Sequence, residues 1–366
     1  MKPIGIYIHV PFCEKKCPYC NFYSIAPTKE LIASYKNRII DELYLLGKKL
    51  NRTANTLYFG GGTPSILAAE TIGEIISAAK SAFKLKSSEV TLEVNPTSAS
   101  KINFDKLLSY GVNRLSIGLQ SANENELQLL GRQHTVQMAR NTVITAQKAG
   151  LNNISLDLML AIPEQTLESL FYSIEFCSEL NVQHISAYLL KVENGTPYFL
   201  NKNHLNFCDD NSQSQFYLAA CKKLEELGFL QYEISNFSKP GYKSQHNLKY
   251  WDALEYLGLG PSAHSFINKK RFYCKNSLTD FINASPTIDD GFGGYEEEYS
   301  LLRLRLTDGL NNELFFNRFK KNIPKRYFEN AKLYEKPGLV TLTDSSIKLT
   351  KPGFLVSNEL ISRIIL

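Results

Sequence analysis

Short hydrophobic runs recur through the first half of the chain, and the stretches between them carry apolar residues three and four positions apart. The runs are IGIYIHV (4–10), NTLYF (55–59), EVTLEV (89–94), RLSIGL (114–119), ISLDLML (154–160) and HISAYLL (184–190). The helical stretches cover residues 28–50, 67–84, 101–110, 135–149 and 166–180. Strands that alternate with helices in this way predict a parallel sheet covered by helices.

Such a repeat can close as an eightfold barrel, stop as a partial barrel or form a flat, doubly wound sheet, and periodicity alone does not choose. The polar residues are more informative, because they follow the strands: FGGGTPS after the second, EVNP in the third and GLQS after the fourth. In barrels and in open parallel sheets, ligands bind at the carboxyl ends of the strands. We therefore expect a binding site at that end.

After residue 205 this rhythm changes. NSQSQFYLAACKKLEELGF (211–229) predicts a long amphipathic helix, and the turn-rich and glycine-rich segment after it contains HNLKYW (246–251) and YLGLGPSAHSF (256–266). The remainder predicts a helix, the hairpin GLVTLTDSSIKLT and a final helix, which is compatible with a small winged-helix-like domain. We divide the chain into a barrel at residues 1–205, an accessory region at 206–290 and a C-terminal domain at 291–366.

Composition narrows the class of protein. Of 366 residues, 43% are hydrophobic and 21% are charged, and the net charge of +5 is spread along the chain, so nucleic acid is not an expected partner. The apolar N-terminal stretch is interrupted by Pro11, and no segment reaches the roughly 18 apolar residues of a membrane helix. We expect a cytoplasmic protein with reduced thiols.

Three of the seven cysteines, Cys13, Cys17 and Cys20, lie within HVPFCEKKCPYCNFYS (9–24). Three thiolates in one loop could bind zinc with a distant fourth ligand, or an iron-sulfur cluster in which one iron stays open to an outside molecule. The other four cysteines share no ligand-like spacing and are interpreted as structural thiols.

Further polar candidates follow the strands. The glycines of GGGTPS (60–65) allow a ligand to approach the backbone closely. Glu93, Gln120 and Arg132 each have an ordinary structural explanation when taken alone. Asp157 stands inside the apolar run ISLDLML and needs hydrogen-bond donors nearby, because burying an unpaired charge is costly.

Together, C-x3-C-x2-C and these motifs resemble the radical S-adenosylmethionine (SAM) superfamily. The resemblance implies a partial (β/α)6 TIM-like barrel and a [4Fe-4S] cluster on the three cysteines, with SAM on the open iron. In that superfamily the reduced cluster splits SAM into methionine and a 5'-deoxyadenosyl radical. It also implies that His9 lies beside the cluster and that SAM contacts Tyr7, Tyr19, Gly61, Gly62, Thr63, Glu93, Gln120, Arg132 and Asp157.

The segments YIHVPFC, YFGGGTPS, LEVNP, GVNRLSIGLQS, LLGRQHT and LDLMLAIPEQT resemble one branch of the superfamily. It contains oxygen-independent coproporphyrinogen III oxidases, which decarboxylate two propionates oxidatively, and HemW-type heme chaperones. Phe22 stands where the oxidase pattern has a further cysteine, and the chain reaches Tyr7 without the oxidase's N-terminal extension. HNLKYW matches the H-N-x-x-Y-W motif of the chaperones. A heme chaperone is therefore the favoured function, oxidase the alternative, and enzymatic activity stays undecided.

By this resemblance heme contacts His246, Asn247, Tyr250 and Trp251. An imidazole is a common axial ligand of heme iron, and the two aromatic rings could cover the macrocycle. Because this motif is far in sequence from the SAM residues, we expect a His246 substitution to spare SAM binding. His264 is a further heme candidate, whereas core or surface roles are expected for the remaining histidines, His134, His184 and His204.

The expected partners are heme, an electron donor for the cluster and a heme-acceptor protein, for which a respiratory enzyme is one candidate. Transient membrane association is a further option. The sequence does not identify the acceptor, the fate of SAM, the mode of heme attachment or the oligomeric state.

Overall fold

Six parallel strands form the centre of the computed structural model, which describes residues 2–85, 88–201, 205–284 and 286–366. The strands are β1 (Ile4–Val10), β2 (Ala54–Gly61), β3 (Glu89–Val94), β4 (Arg114–Gln120), β5 (Ile154–Leu160) and β6 (His184–Leu189). Each pairs in parallel with the next. All six hydrophobic runs predicted as strands are therefore confirmed.

Helices connect these strands as the apolar spacing predicts. They are α1 (Lys29–Leu50), α2 (Ala69–Phe83), α3 (Pro96–Ala99), α4 (Phe104–Tyr110), α5 (Glu124–Leu129), α6 (Val136–Lys148) and α7 (Leu167–Glu179). Two more follow β6, α8 (Pro197–Leu200) and the predicted long helix α9 (Asp210–Glu226). Gly111 ends α4 with a φ of 110°, a left-handed conformation that glycine adopts without steric cost.

Strand β1 shows why the barrel has two chemically different faces. Ile4, Ile6, Ile8 and Val10 are fully buried in the core that also contains the apolar face of α1. The intervening residues Gly5, Tyr7 and His9 point the other way, because side chains alternate along a strand. The outer face of the sheet thus packs on helices, and polar groups line the interior.

Shorter strands extend this sheet on both sides. They are β7 (Leu230–Gln231), β8 (Asn236–Ser238), β9 (Tyr256–Leu259), β10 (His264–Ile267), β11 (Lys270–Tyr273) and β12 (Ile288–Phe292). The strand order is β12-β11-β10-β9-β1-β2-β3-β4-β5-β6-β8-β7, with β9 parallel to β1 and β8 antiparallel to β6. The sequence did not predict these strands. Helix α11 (Leu278–Ile282) lies between β11 and β12.

Helix α10 (Gln245–Trp251) contains the HNLKYW motif and begins at the amino end of the parallel strands. The Glu89 carboxylate, at the first residue of β3, accepts hydrogen bonds from the backbone N–H groups of Gln245 and His246, each at 2.9 Å. Ser244 caps the same terminus by accepting a bond from Asn247 N. These bonds satisfy N–H groups that the helix itself leaves unpaired.

The C-terminal residues form a small α/β domain. Its elements are α12 (Glu296–Arg303), β13 (Leu310–Asn311), α13 (Asn312–Phe319), α14 (Lys325–Lys332), β14 (Val340–Thr343), β15 (Ser346–Leu349), α15 (Lys351–Leu355) and α16 (Ser357–Ile365). The predicted hairpin is β14–β15, and β13 completes a three-stranded sheet. The predicted final helix is interrupted at Val356, so two helices end the chain.

This architecture confirms the predicted class, a partial (β/α)6 barrel with a small C-terminal domain of winged-helix type. Among the described helices, none is both long enough and apolar enough to span a membrane.

Candidate functional site

The three clustered cysteines lie in the loop that leaves the carboxyl end of β1. Backbone hydrogen bonds fold this loop back on itself: Cys13 N donates to Ile25 O at 2.9 Å, and Ile25 N donates to Pro11 O at 2.8 Å. Cys20 N donates to Cys17 O at 3.1 Å, so a turn separates these two thiols. All three are free and partly exposed. Burial raises the pKa of the Cys20 thiol.

Two polar side chains of the barrel contact the thiols. Thr63 Oγ1 donates to Cys13 Sγ at 3.5 Å, and an Arg132 guanidinium nitrogen donates to Cys17 Sγ at 3.6 Å. Over the described ranges, no three His, Cys, Asp or Glu side chains converge where one metal ion would bind. In a [4Fe-4S] cluster each thiolate binds a different iron, so three thiols from one loop leave the fourth iron open. The donor set fits a cluster with one open iron.

The glycine-rich segment after β2 lies directly against the cysteine loop. Gly62 N donates to Val10 O at 2.8 Å, and Thr63 N donates to Phe12 O at 2.7 Å. A Cβ at Gly62 would lie 2.6 Å from Phe12 O, and a Cβ at Gly61, whose φ is 110°, would lie 2.6 Å from the His9 ring. Glycine is required here because the two loops approach too closely for any side chain.

Two carboxylates point into the barrel at the same end. Glu93 accepts hydrogen bonds from the Tyr58 hydroxyl at 2.9 Å and from Gly61 N at 3.2 Å, and burial raises its pKa to about 7. Asp157 accepts from Ser116 Oγ at 3.2 Å. Burial also raises the pKa of Asp157, although the hydroxyl donors around it oppose the rise. The donors that the sequence required for Asp157 are thus present.

The remaining SAM candidates, Gln120 and Tyr19, lie close to Arg132. Its guanidinium donates to Gly118 O at 3.1 Å as well as to Cys17, and a Cβ at Gly118 would lie 2.9 Å from the Gln120 side-chain nitrogen. Gln120 has a φ of 69°, which turns the chain sharply at the end of β4. Burial raises the pKa of Tyr19, and the neighbouring Arg132 charge opposes the rise. The ring centroids of Tyr19 and Tyr198 are 6.2 Å apart.

Tyr7 and His9 connect the interior to the cysteine loop. The Tyr7 hydroxyl lies 3.2 Å from His9 Nδ1, and His9 Nε2 donates to Tyr23 O at 3.1 Å. His9 is buried, which lowers its pKa. The residues that the resemblance assigns to the cluster and to SAM therefore lie together at the carboxyl end of the parallel strands.

His246 lies inside the barrel rather than on a loop. Its side chain is 1% exposed, its Nδ1 lies 2.8 Å from Thr56 Oγ1, and its Nε2 lies 2.9 Å from the Tyr250 hydroxyl. Its ring stacks on Tyr58 at a centroid distance of 5.2 Å. Burial lowers the pKa of His246 to about 3, so its imidazole is neutral. Both ring nitrogens are occupied, and axial ligation of heme iron by His246 would require one hydrogen bond to break.

The expectation that a His246 substitution spares SAM binding stays a prediction, but the structure removes the reason given for it. The residue is distant in sequence from the SAM candidates, but the Tyr58 ring that it stacks on donates its hydroxyl to Glu93. Only the Tyr58 side chain therefore separates His246 from the SAM candidate Glu93 along this path. Sequence separation is a poor guide here because the barrel brings β2, β3 and α10 together.

The other three residues of the motif, Asn247, Tyr250 and Trp251, line a cavity of about 390 Å³. Further walls come from Tyr188 near the end of β6, from residues 233–236, the last of which begins β8, and from Arg305 after α12. Sequence reasoning missed Tyr188, Glu233 and Arg305. The alternation of β6 places Tyr188 on the same face as Ser186, but nothing in the sequence joins it to Arg305.

The remaining histidines differ in their environment. His264 is exposed on β10 and stacks on Tyr273 at 5.0 Å, outside the cavity wall. His134 Nε2 donates to Leu119 O at 3.1 Å, and His184 is buried between Ser155 and Tyr232. His204 lies outside the described residues.

Two segments of the chain match protein-family models. Residues 7–177 match the model of the radical SAM superfamily, and residues 297–356 match that of the HemN C-terminal domain. The solved structure of coproporphyrinogen III oxidase (HemN) from Escherichia coli, a radical SAM enzyme, has a TM-score of 0.81 and 20% identity. It covers 99% of this chain and 90% of its own. That likeness shows the shared fold.

Curated relatives refine this class. The heme chaperone HemW of Lactococcus lactis is 32% identical over 375 residues, covering 100% of this chain and 98% of its own. That of Bacillus subtilis is 32% identical, covering 96% and 97%. The mitochondrial radical S-adenosyl methionine domain-containing protein 1 of Bos taurus is 39% identical, covering 71% and 60%. The chain belongs to the radical SAM superfamily and, within it, to the family of the heme chaperone HemW. This superfamily implies a [4Fe-4S] cluster and SAM.

Proposed function

We propose that this protein is a heme chaperone that binds heme, hands it to an acceptor protein and carries a [4Fe-4S] cluster with exchangeable SAM. The observation that carries the proposal is the cavity walled by Asn247, Tyr250 and Trp251 of the H-N-x-x-Y-W motif. Its volume is within the range of sites for small molecules and cofactors. Two full-length relatives named as heme chaperones support the same function.

In this proposal the thiolates of Cys13, Cys17 and Cys20 hold three irons of the cluster. Its chemistry, once it is bound and reduced, is the supply of an electron to SAM. Gly61, Gly62 and Thr63 hold the loop that faces SAM, and Arg132 pairs with its carboxylate. Glu93 and Asp157 accept hydrogen bonds from its hydroxyl and amino groups. Tyr7, Tyr19 and Gln120 complete the walls.

Heme occupies the cavity, with Tyr250 and Trp251 against the macrocycle. His246 supports this site by holding the Tyr250 hydroxyl at 2.9 Å, and its imidazole would be free to bind the heme iron if that bond opened. Asn247 contributes an amide to the wall. The functional units follow the boundaries near residues 205 and 290, and the partners are an electron donor and a heme acceptor in the cytoplasm.

One preparation tests this function. The protein is reconstituted with iron and sulfide without oxygen, and is then assayed in parallel for heme binding and for coproporphyrinogen III decarboxylation. We expect one heme per chain, transfer of that heme to apomyoglobin used as a trap, and no protoporphyrinogen IX. Conversion at about one per minute or faster, slow for an enzyme, would instead establish the oxidase activity.

Two variants locate the heme within that experiment. Trp251→Leu removes the aromatic cover and keeps an apolar side chain, and His246→Ala releases Tyr250. Both are expected to weaken heme binding, and His246→Ala should also shift the Soret band. The control Tyr273→Leu changes an aromatic residue outside the cavity wall and should leave binding unchanged.

A further inference from the structure

The cavity beside α10 is built by three parts of the chain that are far apart in sequence. Tyr188 comes from β6, the last parallel strand of the barrel, Trp251 from α10, and Arg305 from the C-terminal domain. Among the described residues that line it, Arg305 is the one cation and Glu233 the one anion. A ligand in this cavity therefore meets a positive charge that the barrel does not provide.

Arg305 has no carboxylate partner within the described part of the chain. Its guanidinium donates one hydrogen bond, to Asn358 Oδ1 at 2.8 Å, and its central carbon lies 5.8 Å from the centroid of the Trp251 ring. Burial lowers its pKa, and the Glu233 charge opposes this. The neighbouring Arg303, by contrast, forms an ion pair with Asp252 at 2.6 Å.

Glu233 does not neutralise Arg305 by direct contact. The Glu233 carboxylate accepts hydrogen bonds from Ser235 N and from the Asn236 side chain, and it is 2% exposed. Burial raises its pKa to about 7. The guanidinium, which has five N–H donors, thus keeps donors free toward the cavity.

We propose that Arg305 binds a carboxylate of the ligand, with the flat ring system of that ligand against Trp251 and Tyr250. This inference rests on the proposed heme function, and the carboxylate is then a heme propionate. A planar guanidinium can bind a carboxylate through two parallel hydrogen bonds, which adds orientation to affinity. Asn358 positions the guanidinium. The C-terminal domain therefore fixes how far heme enters the cavity and which edge leads.

The test compares two probes on the full-length, cluster-reconstituted protein: hemin, and hemin dimethyl ester, whose propionates carry no charge. We expect wild type to bind hemin more tightly than the diester. Arg305→Gln should weaken hemin binding about thirtyfold, the size of one charge-assisted hydrogen bond, and should leave the diester unchanged. Arg305→Lys keeps the positive charge but lacks the planar guanidinium that can donate two parallel hydrogen bonds, and it should retain part of the preference for hemin.

The matched control is Arg326→Gln, which removes the same charge from an exposed position in the same domain. It should change neither affinity. The carboxylate contact is contradicted if Arg305→Gln weakens hemin binding no more than this control does, or if it loses equal affinity for hemin and for the diester. In either case the heme function stands. Wild type that binds neither probe overturns the heme function itself, and the carboxylate contact with it. If Arg305→Gln does not fold, Arg305→Lys provides the test. A preference for hemin over the diester that equals that of wild type, or an equal loss of affinity for both probes, would contradict the contact.

Discussion

The two ends of the barrel interior are both polar, but their polar side chains differ in how many hydrogen-bond partners they have within the chain. At the amino end, each ring nitrogen of His246 and of His184 has a protein partner, and the Glu89 carboxylate accepts two backbone bonds from α10. At the carboxyl end, the thiols of Cys13 and Cys17 each accept from one side-chain donor and Cys13 also donates to Lys15 O, while Glu93 and Asp157 keep acceptor capacity.

The difference distinguishes structural polarity from polarity that serves a ligand. A buried polar group that is satisfied within the chain stabilises one arrangement of the elements. A group with spare donors or acceptors is costly until something binds to it. The amino end therefore holds α10 against the barrel, and the carboxyl end is where we propose that the cluster and SAM bind.

The largest expected effect is at the carboxyl end. Replacing Cys13, Cys17 or Cys20 by Ala should abolish the cluster, because no other described cysteine shares the loop. Iron content and visible absorbance after anaerobic reconstitution measure this. Cys208→Ala, a partly exposed cysteine elsewhere, is the control and should bind iron normally. Stoichiometric zinc without iron in wild type would contradict the cluster.

At the amino end, a substitution should act on stability. His246→Ala removes a buried ring with two hydrogen bonds and should lower the free energy of unfolding by on the order of 3 kcal/mol. His264→Ala, an exposed histidine, should change it by less than about 0.5 kcal/mol. Thermal unfolding of both variants without ligands provides the comparison. Equal stability of the two would mean that the amino end is not a structural layer.

SAM affinity should depend on Arg132 and not on other arginines. Arg132→Ala removes a charge-assisted contact worth about 2 kcal/mol, which is about thirtyfold in the dissociation constant. The control is Arg140→Ala, since Arg140 packs over the Phe176 ring away from the cysteines. Equilibrium binding to the reconstituted protein measures both. Unchanged affinity in Arg132→Ala and in Asp157→Asn would show that SAM binds elsewhere.

A further expected effect is a pH dependence of stability. Glu93 has a folded pKa of about 7, raised by burial above its ordinary value of 4.5. The folded state therefore holds this proton more tightly than the unfolded chain, so the ionised carboxyl lowers stability increasingly as pH rises from about 4.5 to 7. Glu93→Gln should gain stability relative to wild type across that interval and show no pH-dependent gain below it.

Denaturant unfolding of the ligand-free protein at several pH values measures this difference. Glu359→Gln, which removes one partner of an exposed ion pair, is the control, and the pH dependence of its free energy of unfolding should match that of wild type. A difference between Glu93→Gln and wild type that stays constant from pH 4.5 to 7 would contradict the raised pKa.

Much of the barrel follows from local patterns. In IGIYIHV, apolar residues alternate with Gly, Tyr and His, which predicts a strand with one core face and one polar face, and β1 has both. The cysteine spacing and the glycines after β2 likewise mark the carboxyl end. The strands β7 to β12 could not be predicted in this way, because they contain two to five residues each and carry too little periodicity.

The sequence by itself determined the six strands and the three thiols of one loop, since these depend on short spacings, whereas the residues expected around the thiols came from the resemblance to the radical SAM superfamily. Only the tertiary structure decided that His246 faces Thr56 and Tyr58, and that Arg305 joins Trp251 at one cavity. Those contacts join residues as much as 190 positions apart. No local pattern encodes such pairs, because they depend on how separate elements pack once the barrel has formed.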